Sequence, residues 1–500
     1  MQDCQPTAEE TDNEPAECLE IVQHLSDAIA DRLDHPEVWD QVGELSEKNP
    51  RLAKGVAEIL GQLLSIPQSP DALLLLSILR AMFWGYRGRL EEGLLALDEI
   101  YARHSQHLTV AGALFRLQAL KHPNEPRYQL AGKYCQTPFI RVDVLENSVH
   151  QCCASWLPTS MGNLKTQSWR EVWNSPNAQA VRASMHDSSY RHCNKILCPQ
   201  IQGNRLTPKE RLRENSQFFE KVVDEQQVEI EEGPQTVNLA YDRTCNLSCP
   251  SCRPARFSAG EKERAVFARL QDENILPMLK GADKAIVTGS GDPFASRNFR
   301  HLLQQLNREN YPSLQLQIMT NGMLLTRKEW QKFPGLPGMV RLLKVSIDAA
   351  TGPTHERLRQ GAKWDVMLEN MKFIGELRAR GDIEEYELVF VVQQENYREM
   401  GDTVDLAKQV NADAVYFSRI SNWGTFSTEA FRKKCVFSHL HPEHRDFLLQ
   451  MQDPRLRDPM VLIQDLEQFI GVDIPPQRAA PEEQLSAQPA NDRKHLPVVA

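Results

Sequence analysis

From Thr236 to about Gly424 the sequence alternates short apolar runs with amphipathic stretches, and this alternation restricts the fold more than any other feature. The strand-like runs are residues 236–241, 284–288, 314–319, 342–347, 386–392 and 414–417. Parallel neighbours need a crossover of a dozen or more residues, normally a helix, so the pattern predicts a parallel βα architecture. Six such units are too few to close an eight-stranded barrel.

The chain has 500 residues, enough for several domains. Residues 17–130 read as helical hairpins: Leu90, Leu94, Leu97 and Tyr101 share one helical face, and Gly88 separates them from the apolar run before. Residues 71–120 are weakly similar to tetratricopeptide repeats but show no clean internal period. Over 131–205 the texture changes to short strands, a turn at Glu146-Asn147-Ser148, one helix over about 167–185 and clustered cysteines, which predicts a small α+β module. Residues 206–235, with Gly233-Pro234, read as a linker, and 425–473 as peripheral helices. The ends, 1–16 and 474–500, read as disordered.

A hydrophobic content of 41% and a charged content of 25% belong to a chain with real cores. No apolar run approaches the roughly 20 residues that span a bilayer. Residues 1–17 are acidic and polar, without the basic start and apolar stretch of a secretory signal, so a cytoplasmic protein is expected. The net charge of −10 supplies no general attraction for a phosphate backbone, and nucleic acid is not an expected partner. Eleven cysteines, an odd number, point to metal or redox chemistry rather than a disulfide framework.

Three of them, in Cys245-Asn246-Leu247-Ser248-Cys249-Pro250-Ser251-Cys252, follow the first strand of the βα region. Three thiolates on one short loop can hold three irons of a 4Fe–4S cube and leave the fourth iron open. A zinc site would call for a fourth ligand nearby, and no Cys or His occurs between Cys252 and His301. In this position the loop resembles the signature of the radical S-adenosylmethionine (radical SAM) enzymes. After the second strand, Ser290-Gly291-Asp292-Pro293 resembles the family's Gly-Gly-Glu-Pro motif, whose backbone meets the methionine amino group. By itself the segment would read as a strand-to-helix turn with an Asp cap. The third strand ends in Thr320-Asn321-Gly322, as in many relatives. On the fourth, Val345 and Ile347 alternate with Ser346 and Asp348, so the polar pair points into the barrel mouth; by resemblance Ser346 and Asp348 contact the ribose. Two residues depart from the pattern: Ser251 replaces an aromatic beside the adenine, and Asp292 replaces Glu.

A second set comprises Cys135, Cys152, Cys153, Cys193 and Cys198. The text between them, including Gly162-Asn163-Leu164 and Trp169-Arg170-Glu171-Val172-Trp173-Asn174-Ser175, resembles the SPASM module, which carries auxiliary clusters. In most relatives the module follows the barrel; here it precedes it. Adjacent strand residues face opposite ways, so one of Cys152 and Cys153 reaches a cluster; the family pattern favours Cys152, with Cys153 the alternative. Four thiolates suit a closed 4Fe–4S cluster or a four-cysteine zinc site, and spacing does not separate the two. Cys4, Cys18 and Cys435 read as ordinary thiols. His439, His441 and His444 read as a solvated helix start, and Arg253, Arg256, Lys262 and Arg264 as a solvated face.

The resemblance implies an α/β chain with a partial (β/α)6 TIM-type barrel, preceded by the cysteine-rich module and an all-α helical-hairpin domain. It also implies one open 4Fe–4S cluster, an auxiliary cluster and S-adenosylmethionine as cofactors. The implied chemistry is reductive cleavage of S-adenosylmethionine, then hydrogen abstraction, with a flavodoxin or ferredoxin as electron donor. A peptide or protein held by the helical domain is the leading substrate class. Dehydrogenation or epimerisation of a sugar or small metabolite is the alternative, and a non-catalytic metal-binding assembly protein is a third reading.

Overall fold

A computed structural model of the chain describes residues 14–287 and 290–472. Six helices come first: α1 (Glu14–Ala28), α2 (Pro36–Lys48), α3 (Pro50–Leu63), α4 (Pro70–Tyr86), α5 (Leu90–Arg103) and α6 (Leu108–Lys121). Asn49 and Ser69 start α3 and α4 by accepting from the backbone N–H of Leu52 and Ala72, with proline in the first turn of each. On α5 the face expected to point inward does so: Leu94 and Leu97 are buried, with Leu90 and Tyr101 packed at the edge. Cys18 lies in this core and Cys435 is buried elsewhere, both as free thiols. Cys4 lies outside the described residues, as do the expected disordered ends, except that residues 14–16 open α1.

Among the described residues, strands β1 (Lys133–Tyr134) and β4 (Thr207–Pro208) form a small antiparallel pair. The main sheet also contains β2 (Arg141–Leu145), β3 (Val149–His150), β5 (Thr236–Ala240), β6 (Lys284–Val287), β7 (Gln315–Thr320), β8 (Val340–Ser346), β9 (Ile383–Val392), β10 (Ala414–Arg419) and β11 (Val461–Ile463). Its order is β11-β10-β9-β8-β7-β6-β5-β2-β3. β5 to β10 are the six parallel strands that the alternation predicts.

Two additions frame them. β11 pairs parallel with β10, inside a region expected to be helical; three residues are too few to show a period-two pattern. At the opposite edge β2 pairs parallel with β5, placing Val142 against Val237 and Val144 against Leu239. The cysteine-rich module therefore continues the barrel sheet, although it comes first in the chain.

Residues 206–235 are not a free linker. β4 pairs with β1, helices Lys209–Asn215 and Gln217–Asp224 follow, and Phe219, Val222 and Ile230 are buried. The acidic stretch after them runs irregularly against the module, where Trp173 Nε1 donates to the Glu232 carbonyl at 2.8 Å and Arg182 to that of Val228 at 2.8 Å. Its backbone groups are satisfied by module side chains, a pairing invisible in composition. The single helix expected over 167–185 is two, Trp169–Trp173 and Pro176–His186. Pro176 cannot donate to a preceding turn, and Ser175 caps the second helix by accepting from Ala178 N–H. A π-helical turn, Gln271–Ile275, interrupts the first barrel helix, and its Asn274 accepts from Trp169 N–H at 2.7 Å. That turn is a fixed point between barrel and module. No helix among the described residues is long and apolar enough to cross a membrane.

Candidate active site and metal centres

Cys245, Cys249 and Cys252 lie on the loop leaving β5, at the carboxyl ends of the parallel strands where such folds place their sites. All three line one cavity of about 240 Å³, together with Gly291, Ser346, Asp348 and Arg359. Each sulfur has a donor or cation of its own. Asn321 Nδ2 points at Cys245 Sγ from 3.7 Å, Arg253 Nη2 lies 3.5 Å from Cys252 Sγ, and the Arg359 charge acts on Cys249. Burial pushes the Cys245 and Cys249 thiols up, and nearby positive charge opposes this at both. No fourth cysteine and no histidine is among the described residues lining the cavity. Nor do any three histidine, cysteine or carboxylate side chains among the described residues converge on a point for a single ion. Three separated sulfurs, each hydrogen-bonded or facing a cation, fit a cube held at three corners.

The segment after β6 is stitched to the cysteine loop. Asp292 N–H donates to the Thr244 carbonyl at 2.8 Å, and a Cβ at Gly291 would lie 2.5 Å from that same oxygen. Only glycine permits this approach. Ser290 Oγ donates to the Ala240 carbonyl at 2.8 Å, and Pro293 is buried behind it. In that motif the backbone is the part expected to meet the cofactor; the Asp292 carboxylate is buried and accepts from Thr320 Oγ1 and from the N–H groups of Asn321, Phe294 and Ala295. Of the four residues 290–293, only Gly291 lines the cavity.

Ser346 and Asp348 both reach the cavity wall. Asp348 takes a left-handed backbone conformation, φ 56°, which Asp tolerates better than most residues. Its carboxylate accepts from Val391 N–H at 2.8 Å and pairs with Arg359 Nη2 at 2.8 Å. Arg359 lines the cavity without having been singled out in the sequence. Its side chain is 13% exposed, its buried Nε has no hydrogen-bond partner, and the next residue's carbonyl accepts from Ser248 N–H of the cysteine loop. It follows a short helix in no motif; only Gly361, φ 96°, marks the turn in the sequence.

Arg253, expected on a solvated face, is 6% exposed and donates to the carbonyls of Arg243 and Ser290 as well as to Cys252. Ser251, which replaces the aromatic residue, lines the cavity, and the aromatic at its rim is Trp423, 67% exposed, on the loop after β10. His441 and His444, expected at a solvated helix start, are instead tied to the backbone carbonyls of Lys433 and Val436, and His441 is buried.

In the module, Cys135, Cys152, Cys193 and Cys198 are brought together. Burial first, and then mutual repulsion, pushes Cys135 and Cys198 up to about 11 and Cys152 up to about 12, with Cys193 raised well above its usual value. A cluster held by these four cysteines would take them as thiolates, so loading it would release their protons. Trp156 Nε1 donates to Cys152 Sγ at 3.1 Å, the kind of outer hydrogen bond that orients a ligand. Cys153, half-buried, is not among the leading charges acting on Cys135, Cys152, Cys193 or Cys198.

Comparison with known proteins agrees with this geometry. Residues 242–407 match the radical SAM superfamily, and residues 135–199 match SPASM, an iron-sulfur cluster-binding domain. No curated protein matches the sequence. Among solved structures, Streptococcus suis SuiB bound to precursor peptide SuiA is 15% identical, with a TM-score of 0.29, over 41% of this chain and 42% of that one. SuiB bound to S-adenosylmethionine is 15% identical, with a TM-score of 0.30, over 49% of each chain. Native anSMEcpe with bound AdoMet and Kp18Cys peptide is 16% identical, with a TM-score of 0.28, over 44% of this chain and 61% of that one. The chain spans about half the length of these structures, and overlap so partial carries nothing about substrate or partner to it. The cofactors that go with the two matched domains are a 4Fe–4S cluster with S-adenosylmethionine and auxiliary iron-sulfur clusters. The chain carries a radical SAM domain over residues 242–407 and, ahead of it in the sequence, a SPASM domain over residues 135–199.

Proposed function

We propose that this protein cleaves S-adenosylmethionine reductively at the Cys245–Cys249–Cys252 site and removes a hydrogen atom from a peptide or protein. One observation carries the reading: three cysteines, each with its own donor or cation, line one cavity that offers no fourth thiol or imidazole among the described residues. When bound there, cluster and cofactor supply one-electron cleavage of a carbon–sulfur bond, giving methionine and a 5′-deoxyadenosyl radical that takes hydrogen from substrate.

The protein's part is to bind, orient and shield. Arg359 would receive the cofactor's carboxylate, which its planar fork suits, and Asp348 fixes that fork in place. Ser346 offers a hydroxyl to the ribose, and Gly291 lets backbone approach the amino group. Asp292 holds the loops together rather than touching the cofactor. In the module, Cys135, Cys152, Cys193 and Cys198 would hold the auxiliary cluster. The peptide assignment is supported by the SPASM match, since proteins with that module often modify peptides, and by the open rim around Trp423.

The test is anaerobic turnover with dithionite. Wild type is expected to form methionine and 5′-deoxyadenosine, and the Cys245→Ala, Cys249→Ala, Cys252→Ala triple variant is not. Equal product from both overturns the proposal. Isotope transfer to 5′-deoxyadenosine from deuterated candidate peptides, but not from sugars, checks the substrate class.

A further inference from the structure

The helical domain meets the module in part on residues 194–196, between Cys193 and Cys198, and a buried ion pair lies at this contact. Lys195 Nζ contacts the Asp34 carboxylate; the two side chains are 4% and 1% exposed. Asp34 also accepts from Trp39 Nε1 at 2.9 Å, and its own N–H donates to the Arg191 carbonyl at 3.1 Å. The pocket for this carboxylate is built by Gly112 of α6: a Cβ there would lie 1.9 Å from Asp34 Oδ1. Next to Lys195, Asn194 accepts from Tyr101 hydroxyl of α5 at 3.3 Å and donates to the Ser105 carbonyl at 2.7 Å. Ile196 packs against both hydrophobic cores.

Two charges taken from water gain little net stability from each other, so a buried pair spanning two domains calls for another role. Lys195 supplies one: it stands two residues from Cys193, and its positive charge opposes the upward push of burial on that thiol. The potential of an iron-sulfur cluster follows the charges and hydrogen bonds around its sulfurs.

We propose that Asp34 and Lys195 form a strut through which the helical domain positions the Cys193–Cys198 segment and tunes the auxiliary centre. The inference rests on the reading that Cys135, Cys152, Cys193 and Cys198 hold a cluster. Lys195 is a positioning residue, and Asp34 is the group that keeps its charge in place and balanced.

The test uses the full chain, reconstituted anaerobically in a Cys245→Ala, Cys249→Ala, Cys252→Ala background so that the module's iron is read alone. Asp34→Asn leaves the ammonium unbalanced and is expected to shift the midpoint potential positive. Lys195→Met removes the cation and is expected to shift it negative. Folded, iron-loaded variants that both keep the parent's potential overturn the proposal. A parent that binds no iron overturns the cluster reading and the proposal with it. Should either variant fail to fold by circular dichroism, Tyr101→Phe carries the test, because it removes only a hydroxyl. It is expected to release iron to a chelator several-fold faster, and release at the parent's rate overturns the proposal.

Discussion

Arg359 Nη2 lies 2.8 Å from the Asp348 carboxylate, and the pair forms one wall of the cavity lined by Cys245, Cys249 and Cys252. Asp348 comes from the turn after β8 and Arg359 from the end of the next helix, so this contact ties the strand end to that helix across the cavity wall.

Removing one partner leaves the other charged and buried. Arg359→Met is expected to cost about 3–5 kcal/mol in urea denaturation. It is also expected to weaken S-adenosylmethionine binding at least tenfold by titration calorimetry, with cluster iron retained. Asp348→Asn keeps an acceptor for Val391 N–H and should lose less stability while still weakening cofactor binding.

Gly291→Ala places a methyl against the Thr244 carbonyl, which is backbone and cannot swing aside. The cysteine loop and the 290–293 segment must then separate. Iron analysis and electron paramagnetic resonance should show loss of the barrel cluster and retention of module iron.

Cys152→Ala is expected to abolish the auxiliary signal, and Cys153→Ala to preserve it. Iron counted per chain in the barrel triple-alanine background distinguishes the two. A reversed result would move the ligand to Cys153.

Ser251 leaves the cavity without its usual aromatic, and Trp423 stands exposed at the rim. Stacking of a base on an aromatic contributes about 1–3 kcal/mol. Trp423→Ala is expected to weaken cofactor binding by about that amount, and adding S-adenosylmethionine should change the tryptophan fluorescence of wild type but not of the variant.

His355 is fully buried, with Nδ1 against the Ile347 carbonyl and Nε2 without a partner. Burial, reinforced by the Arg359 charge, lowers its pKa to about 4. The unfolded chain binds the proton near 6.5, so the unfolded state is favoured progressively as pH falls below that value. The stability this neutral histidine allows is complete above about pH 6.5, and about 3 kcal/mol is lost by pH 4. Denaturation midpoints across that window should show the loss, and His355→Phe should flatten the curve.

The six-strand alternation and the Cys-x3-Cys-x2-Cys loop were readable because each is local: a strand's period is two residues, and the three cysteines fall within eight. The inward face of α5 and the polar faces of Ser346 and Asp348 were legible for the same reason. The three-residue strand β11 was too short to carry a pattern, and the 206–235 segment hides its pairing with the module behind a polar composition. Arg253 looked solvated because nothing near it in sequence reveals that the 243 and 290 carbonyls converge on its guanidinium. Arg359, the parallel pairing of β2 with β5 and the contact from Asp34 to Lys195 depend on residues 11 to 161 positions apart. A chain's local periodicity decides which elements form and what chemistry each can offer; which charges meet, and which of them lose water, is decided only when distant elements pack, because desolvation is a property of the assembled interior.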